Sequence, residues 1–150
     1  MSNTNEFSNK VAIITGSGQG MGKAVAQRLC QGGASVIIND LNESSADQTA
    51  KALNENGFNA LAIQGDVTSA QDVNRMIETT VKSYGEIHIL VNNAGALRPT
   101  KIMDMEEEEW DFVVNANLKS TYLCSKAVLP IMQNNGWGRI INFSSTAGEK

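Results

Sequence analysis

Apolar positions along this chain alternate between short unbroken runs and longer stripes at helical spacing. The runs fall at residues 11–14, 36–38, 61–63, 87–91 and 140–143. They are nearly continuous rather than polar on every second residue, which is the pattern of parallel strands covered on both faces. Between them, Met21, Val25 and Leu29 recur every fourth residue up to Gly32 and Gly33. Ala46, Ala50 and Leu53 follow Asn42 and Glu43 and stop at Gly57. Val73, Met76, Ile77, Val81 and Tyr84 follow the capping candidates Thr68 and Ser69 and end at Gly85.

The first four runs begin about 25 residues apart, the length of a right-handed crossover unit. After the fourth comes a Gly/Pro loop at 95–100, then a helical stretch over 105–134. The acidic run 106–109 falls in its first turns, where negative charge suits the helix dipole. Pro130 lies inside the stretch and is expected to kink it or end it early. Gly136 and Gly138 then lead into the fifth run. This order predicts an α/β doubly wound parallel sheet, a Rossmann fold, with ligands outside the carboxyl ends of the strands.

Composition narrows the picture. At 150 residues and 41% hydrophobic content the chain suits one domain, residues 10–150, behind a polar tail of residues 1–9. Sixteen acidic against 12 basic residues, a net charge of −4, leave no extended basic surface, so neither nucleic acid nor membrane is expected as a partner. No run approaches a bilayer span and the tail has no leader pattern, so a cytoplasmic protein is expected. Cys30 and Cys124 lie in helical patterns without a partner motif and read as buried small hydrophobes. The single His88 reads as a packing residue, and no metal site is expected.

The chemistry collects where strands end. Residues 15–22 read Thr-Gly-Ser-Gly-Gln-Gly-Met-Gly and join the first run directly to the first helix. Gly16, Gly20 and Gly22 let the backbone turn tightly and approach a pyrophosphate, and the helix N-terminus offers N–H groups to the anion. Gly18, Gln19 and Met21 complete the part of the turn expected to meet a cofactor. Asp40 closes the second run, where a carboxylate accepts hydrogen bonds from an adenosine ribose and repels a 2′-phosphate. No Lys or Arg stands at 39, 41 or 42, so NAD is favoured over NADP. Asp66 and Val67 end the third run; Asp66 reads either as a turn former or as a partner of the adenine amino group. Asn92, Asn93, Ala94 and Gly95 end the fourth. One asparagine is expected to tie strands together and the other, Asn93, to touch the cofactor with Ala94 and Gly95.

With these motifs in order, and with Asn-Ala-Asn-Leu at 115–118 and Gly-Arg-Ile-Ile-Asn-Phe-Ser-Ser at 138–145, the chain resembles the N-terminal part of a short-chain dehydrogenase/reductase. The likeness runs from about Lys10 to the last residue and implies the first five strands of the family's sheet. It implies an oxidoreductase moving hydride between NAD(H) and a secondary alcohol or ketone, with reduction of 3-oxoacyl thioesters as one option. Asn117 matches the helix asparagine whose backbone holds a water in a proton relay, with Asn115 the weaker candidate. Ser145 matches the serine that hydrogen-bonds the substrate oxygen. The family's Tyr-x-x-x-Lys helix follows that serine, so its tyrosine and lysine are not expected within this chain. Tyr122 and Lys126 have the spacing but precede the serine, and Tyr122 reads as packing against a core or a subunit interface. The resemblance further implies a homodimer or homotetramer built on the 105–134 helix. Residues 1–150 alone are expected to be inactive and poorly stable, because 140–143 would form the sheet's edge. The alternative is a nucleotide-binding module without catalysis.

Overall fold

The structure, a computed structural model, describes residues 5–145. After a 3₁₀ turn at Asn5–Phe7, the elements run β1 (Val11–Ile14), α1 (Gly20–Gln31), β2 (Ser35–Asp40), α2 (Glu43–Glu55), β3 (Asn59–Gln64), α3 (Ala70–Tyr84), β4 (Ile89–Asn92), α4 (Glu107–Val114), a π-helical turn (Asn115–Lys119), α5 (Ser120–Asn134) and β5 (Arg139–Asn142). The five strands form one parallel sheet in the order β3-β2-β1-β4-β5. Successive residues of each strand feed opposite layers. Ala12, Ile14, Val36, Ile38, Ile89 and Val91 pack with Ala26, Leu29, Ala46, Ala50 and Leu53 of α1 and α2. Ile13, Ile37, Ile63 and Leu90 pack with Val73, Met76 and Ile77 of α3 and Cys124, Val128 and Met132 of α5. This is the doubly wound fold that the apolar runs predict. Between β1 and β4 the strand order reverses, and a crevice opens there at the carboxyl ends.

The helix ends follow their capping chemistry. Asn42 Oδ1 accepts the Ser45 N–H at 3.0 Å, and Ser69, rather than Thr68, caps α3 by accepting from Asp72 at 3.3 Å. Gly85 ends α3 at φ 82°. The expected stripe of α1 is corrected: Met21 is 71% exposed, and the buried face is Gly22, Ala26, Leu29 and Cys30. The bare Gly22 lets the helix approach the turn, which rotates Met21 outward. Pro130 neither ends nor breaks α5, which continues to Asn134. It stands on the exposed side, where the missing N–H leaves a carbonyl next to solvent. Cys30 and Cys124 are free and buried, and burial pushes both thiols up to about 12. Among the described residues no helix is long and apolar enough to cross a membrane.

Candidate functional site

The glycine turn is laced to the end of β4 by two side chains. Thr15 is buried, and its Oγ1 accepts the N–H groups of Asn93 at 3.1 Å and Ala94 at 3.0 Å. In return Asn93 Nδ2 donates to the carbonyls of Thr15 and Gly16, both at 2.9 Å. Gly16 sits at φ +61°, where a Cβ would lie 3.0 Å from Ala94 Cα. A Cβ on Gly22 would lie 2.5 Å from the Gly16 carbonyl oxygen, so α1 can start against the turn only with glycine there. Unlike α2 and α3, α1 begins without a side-chain cap, and its ladder opens with Lys23 N–H on Gln19 O at 3.2 Å. The N–H groups of Gly20, Met21 and Gly22 therefore precede the ladder at the positive end of the helix dipole. Such an end suits an anion.

The two acids hold the loops that carry them. Asp40 Oδ2 accepts the Gly18 N–H and Oδ1 the Asn42 N–H, each at 3.0 Å. Gly18 is buried, and its carbonyl accepts from Thr49 Oγ1 at 2.7 Å. A carboxylate has about four acceptor sites, so Asp40 retains capacity for hydroxyl donors. Asp66 Oδ1 accepts the Thr68 N–H at 2.8 Å and the Thr68 hydroxyl at 2.7 Å, the turn-former role. The Asp66 N–H donates to Asp72 at 2.9 Å, and with Arg75 it holds the Asp72 carboxyl below its ordinary range.

These residues surround a crevice of about 460 Å³. Gly16, Gln19, Asp40, Asp66, Val67, Asn93, Ala94 and Gly95 all line it, whereas Gly18, Gly20, Met21 and Gly22 shape the turn without lining it. Sequence reasoning missed Asn39, Leu41, Gly65, Thr68, Ala96, Phe112 and Ala116, which also line it. Asn39 carried a signal, a polar residue inside an apolar strand; its amide donates to the Ile63 and Gly65 carbonyls at 3.1 and 3.3 Å. Phe112 and Ala116 carried none, since only tertiary packing brings their helix to the crevice. Among the described residues no lysine or arginine lines it.

Asn117 lies one residue beyond the lining residue Ala116. Its Nδ2 donates to Ala96 O at 2.7 Å and Val113 O at 2.8 Å, and its Oδ1 accepts the Ala96 N–H at 3.3 Å. Three residues on, the Ser120 N–H makes an i→i−5 bond to Asn115 O, and the Ala116 carbonyl it passes over accepts the Ser120 hydroxyl at 2.6 Å. The Asn117 carbonyl accepts the Thr121 hydroxyl at 2.9 Å. Asn92 is the strand-tying asparagine, donating to Asn142 Oδ1 at 2.9 Å and Ser125 Oγ at 3.2 Å. Ser145 follows β5 at the carboxyl end of the sheet and is exposed; it does not line the crevice. Tyr122 is 55% exposed rather than packed in the core, and Lys126 Nζ donates to its hydroxyl at 3.2 Å.

His88 stands just before β4, at the opposite end of the sheet. Its Nδ1 accepts the Val11 N–H at 3.1 Å, while Nε2 lies 3.2 Å from Glu86. Burial, aided by Lys10 and opposed by Glu86, lowers its pKa from the ordinary 6.5. That is a packing role.

A family model described as short chain dehydrogenase matches residues 10–150. A (2S)-[(R)-hydroxy(phenyl)methyl]succinyl-CoA dehydrogenase subunit of Thauera aromatica is 40% identical over 139 residues, 93% of this chain and 56% of the relative. A 3-oxoacyl-[acyl-carrier-protein] reductase of Synechocystis sp. is 40% identical over 140 residues, 93% of this chain and 57% of the relative. Among solved structures, a 7α-hydroxysteroid dehydrogenase complexed with NADH and 7-oxo glycochenodeoxycholic acid superposes with TM-score 0.94 at 33% identity, covering all of this chain and 58% of that one. The chain therefore spans a little over half the length of the relatives it matches.

Proposed function

The chain belongs to the short-chain dehydrogenase family, and from that premise we propose that it supplies the NAD-binding part of an oxidoreductase acting on a secondary alcohol or ketone. The observation that carries this reading is one crevice at the strand-order reversal, lined at once by the glycine turn, the Asp40 carboxylate and residues 93–95. The residues fit the group. N–H groups at the start of α1 and around Gly16, Gly20 and Gly22 hold the pyrophosphate, with Gln19 and Met21 beside it. Asp40, kept in place by the Gly18 N–H, accepts the adenosine ribose hydroxyls. Asp66 and Val67 bound the adenine, and Asn93, Ala94 and Gly95 lie along the remainder. The absence of cationic lining favours NAD over NADP, because nothing there would neutralise a 2′-phosphate.

When bound, the nicotinamide supplies the hydride donor or acceptor. The chain's own residues do the orienting. Ser145 hydrogen-bonds the substrate oxygen, and the Asn117 backbone carbonyl holds a relay water while its side chain fixes Ala96. Tyr122 and Lys126 are not the general acid and its partner in this reading, since they pair on the exposed side of α5. Residues 1–150 by themselves are thus expected to bind cofactor without turnover. Assembly as a homodimer or homotetramer uses the exposed Trp110, Leu118 and Tyr122 of the α4–α5 helix, and two free buried thiols suit a reducing cytoplasm.

Calorimetric titration with NAD⁺ and NADP⁺, repeated with Asp40→Ala, tests the cofactor assignment. NAD⁺ should bind more tightly, and the substitution should narrow the gap by about 1–3 kcal/mol. Equal affinities in the unmutated chain would reject Asp40 as the selector.

A further inference from the structure

Strand β3 is an outer strand of the sheet, yet the groups on its free side are largely occupied by side chains. Along an edge strand, every second residue turns both its N–H and its C=O away from the neighbour. Here the odd-numbered residues face β2, as Gly65 N–H on Asp40 O at 3.1 Å marks, and the even-numbered ones face outward. Phe58 N–H, just before β3, donates to Leu53 O at 3.2 Å. Ala60 then meets the Asn54 carboxamide twice: its N–H donates to Oδ1 and its carbonyl accepts from Nδ2, both at 2.9 Å. Gln64 O accepts from Arg75 Nη2 at 2.9 Å. Ala62, between them, carries no such plug.

The pair of bonds on Ala60 is the exchange one residue of an added strand would make. A carboxamide is suited to it because it holds a donor and an acceptor side by side. Asp47, Lys51 and Glu55 stand along the same groove, and charges of both signs there oppose an apolar strand. An incoming strand would need Ala60, Ala62 and Gln64 in succession, and it finds both groups of Ala60 and the carbonyl of Gln64 already taken.

We propose that Asn54 acts as a one-residue surrogate strand that seals the β3 edge and keeps this sheet from pairing with another chain through β3. A carboxamide that merely fastened α2 to β3 would affect stability alone; a seal also governs association. Asn54→Ala should therefore form species larger than the unmutated assembly in sedimentation velocity, at temperatures where circular dichroism shows it folded. Hydrogen exchange of the Ala60 amide should quicken by about ten-fold or more, while Leu61 and Ile63, bonded to β2, keep their protection. Adding Ala62→Lys, a charge on the bare edge, should reverse the association. Asn54→Leu keeps the bulk, removes both donor and acceptor and adds no charge, so Ala60 N–H should lose protection and association should rise with it. If Asn54→Ala stays folded at the unmutated size, the proposal is overturned. If Asn54→Ala does not fold, Asn54→Leu decides, and no rise in its association overturns the proposal equally.

Discussion

One hydroxyl, Thr15 Oγ1, accepts N–H groups from both Asn93 and Ala94, so it joins the phosphate turn to the loop across the crevice. Thr15→Val keeps the shape, strands the Ala94 N–H and leaves the Asn93 N–H with Val91 O alone, and should lower stability by about 1–3 kcal/mol in chemical denaturation. A loss within measurement error would mean that the lacing carries no weight. His88 makes a second residue-scale prediction. Its folded pKa lies below the ordinary 6.5, so the unfolded chain binds more protons as pH falls from 6.5 through the folded value. Its contribution is therefore present above pH 6.5 and lost below. Melting temperatures taken from about pH 7.5 down to 5.5 should fall, and His88→Gln should flatten that slope. Cys30 and Cys124, pushed up to about 12, should resist a thiol reagent at neutral pH and react once the chain is unfolded.

At the scale of elements, α1 depends on Gly22. Gly22→Ala would drive a methyl into the Gly16 carbonyl, and it should cost about 1–3 kcal/mol and weaken NAD⁺ binding together. Unchanged binding would separate the helix start from the site. The sheet was legible in the sequence because its strands are apolar runs that end in polar or glycine-rich turns, and α2 and α3 were legible as apolar stripes opened by a cap. The face of α1 was not legible: glycine has no hydropathy, yet the bare Gly22 sets the approach and turns Met21 outward. Nor was the π turn, where the Ser120 N–H bonds Asn115 O while its hydroxyl takes the Ala116 carbonyl, a choice between two neighbouring acceptors that no hydropathy pattern encodes. The strand-end residues of the crevice could be read in advance, and Phe112 and Ala116, delivered by a later helix, could not.

The whole molecule is a sheet with unlike sides. Among the described residues β3 is an outer strand partly occupied by side chains, β5 is the other with Ile141 and Phe143 exposed, and the α4–α5 helix leaves Leu118 69% exposed. Leu118→Glu should shift the assembly toward smaller species in sedimentation equilibrium; an unmutated chain that stays monomeric at every concentration would remove this helix as the interface. All of this surrounds one central claim, that the crevice between β1 and β4 holds the dinucleotide. Titrating NAD⁺ into ¹⁵N-labelled protein and following each backbone amide in ¹H–¹⁵N correlation spectra tests it most directly. The largest shifts are expected at Gly16, Gln19, Gly20, Met21, Asp40, Val67 and Ala94, with His88 and Trp137 at the far end of the sheet unmoved. Shifts confined to other surfaces, or none at millimolar NAD⁺, would contradict it.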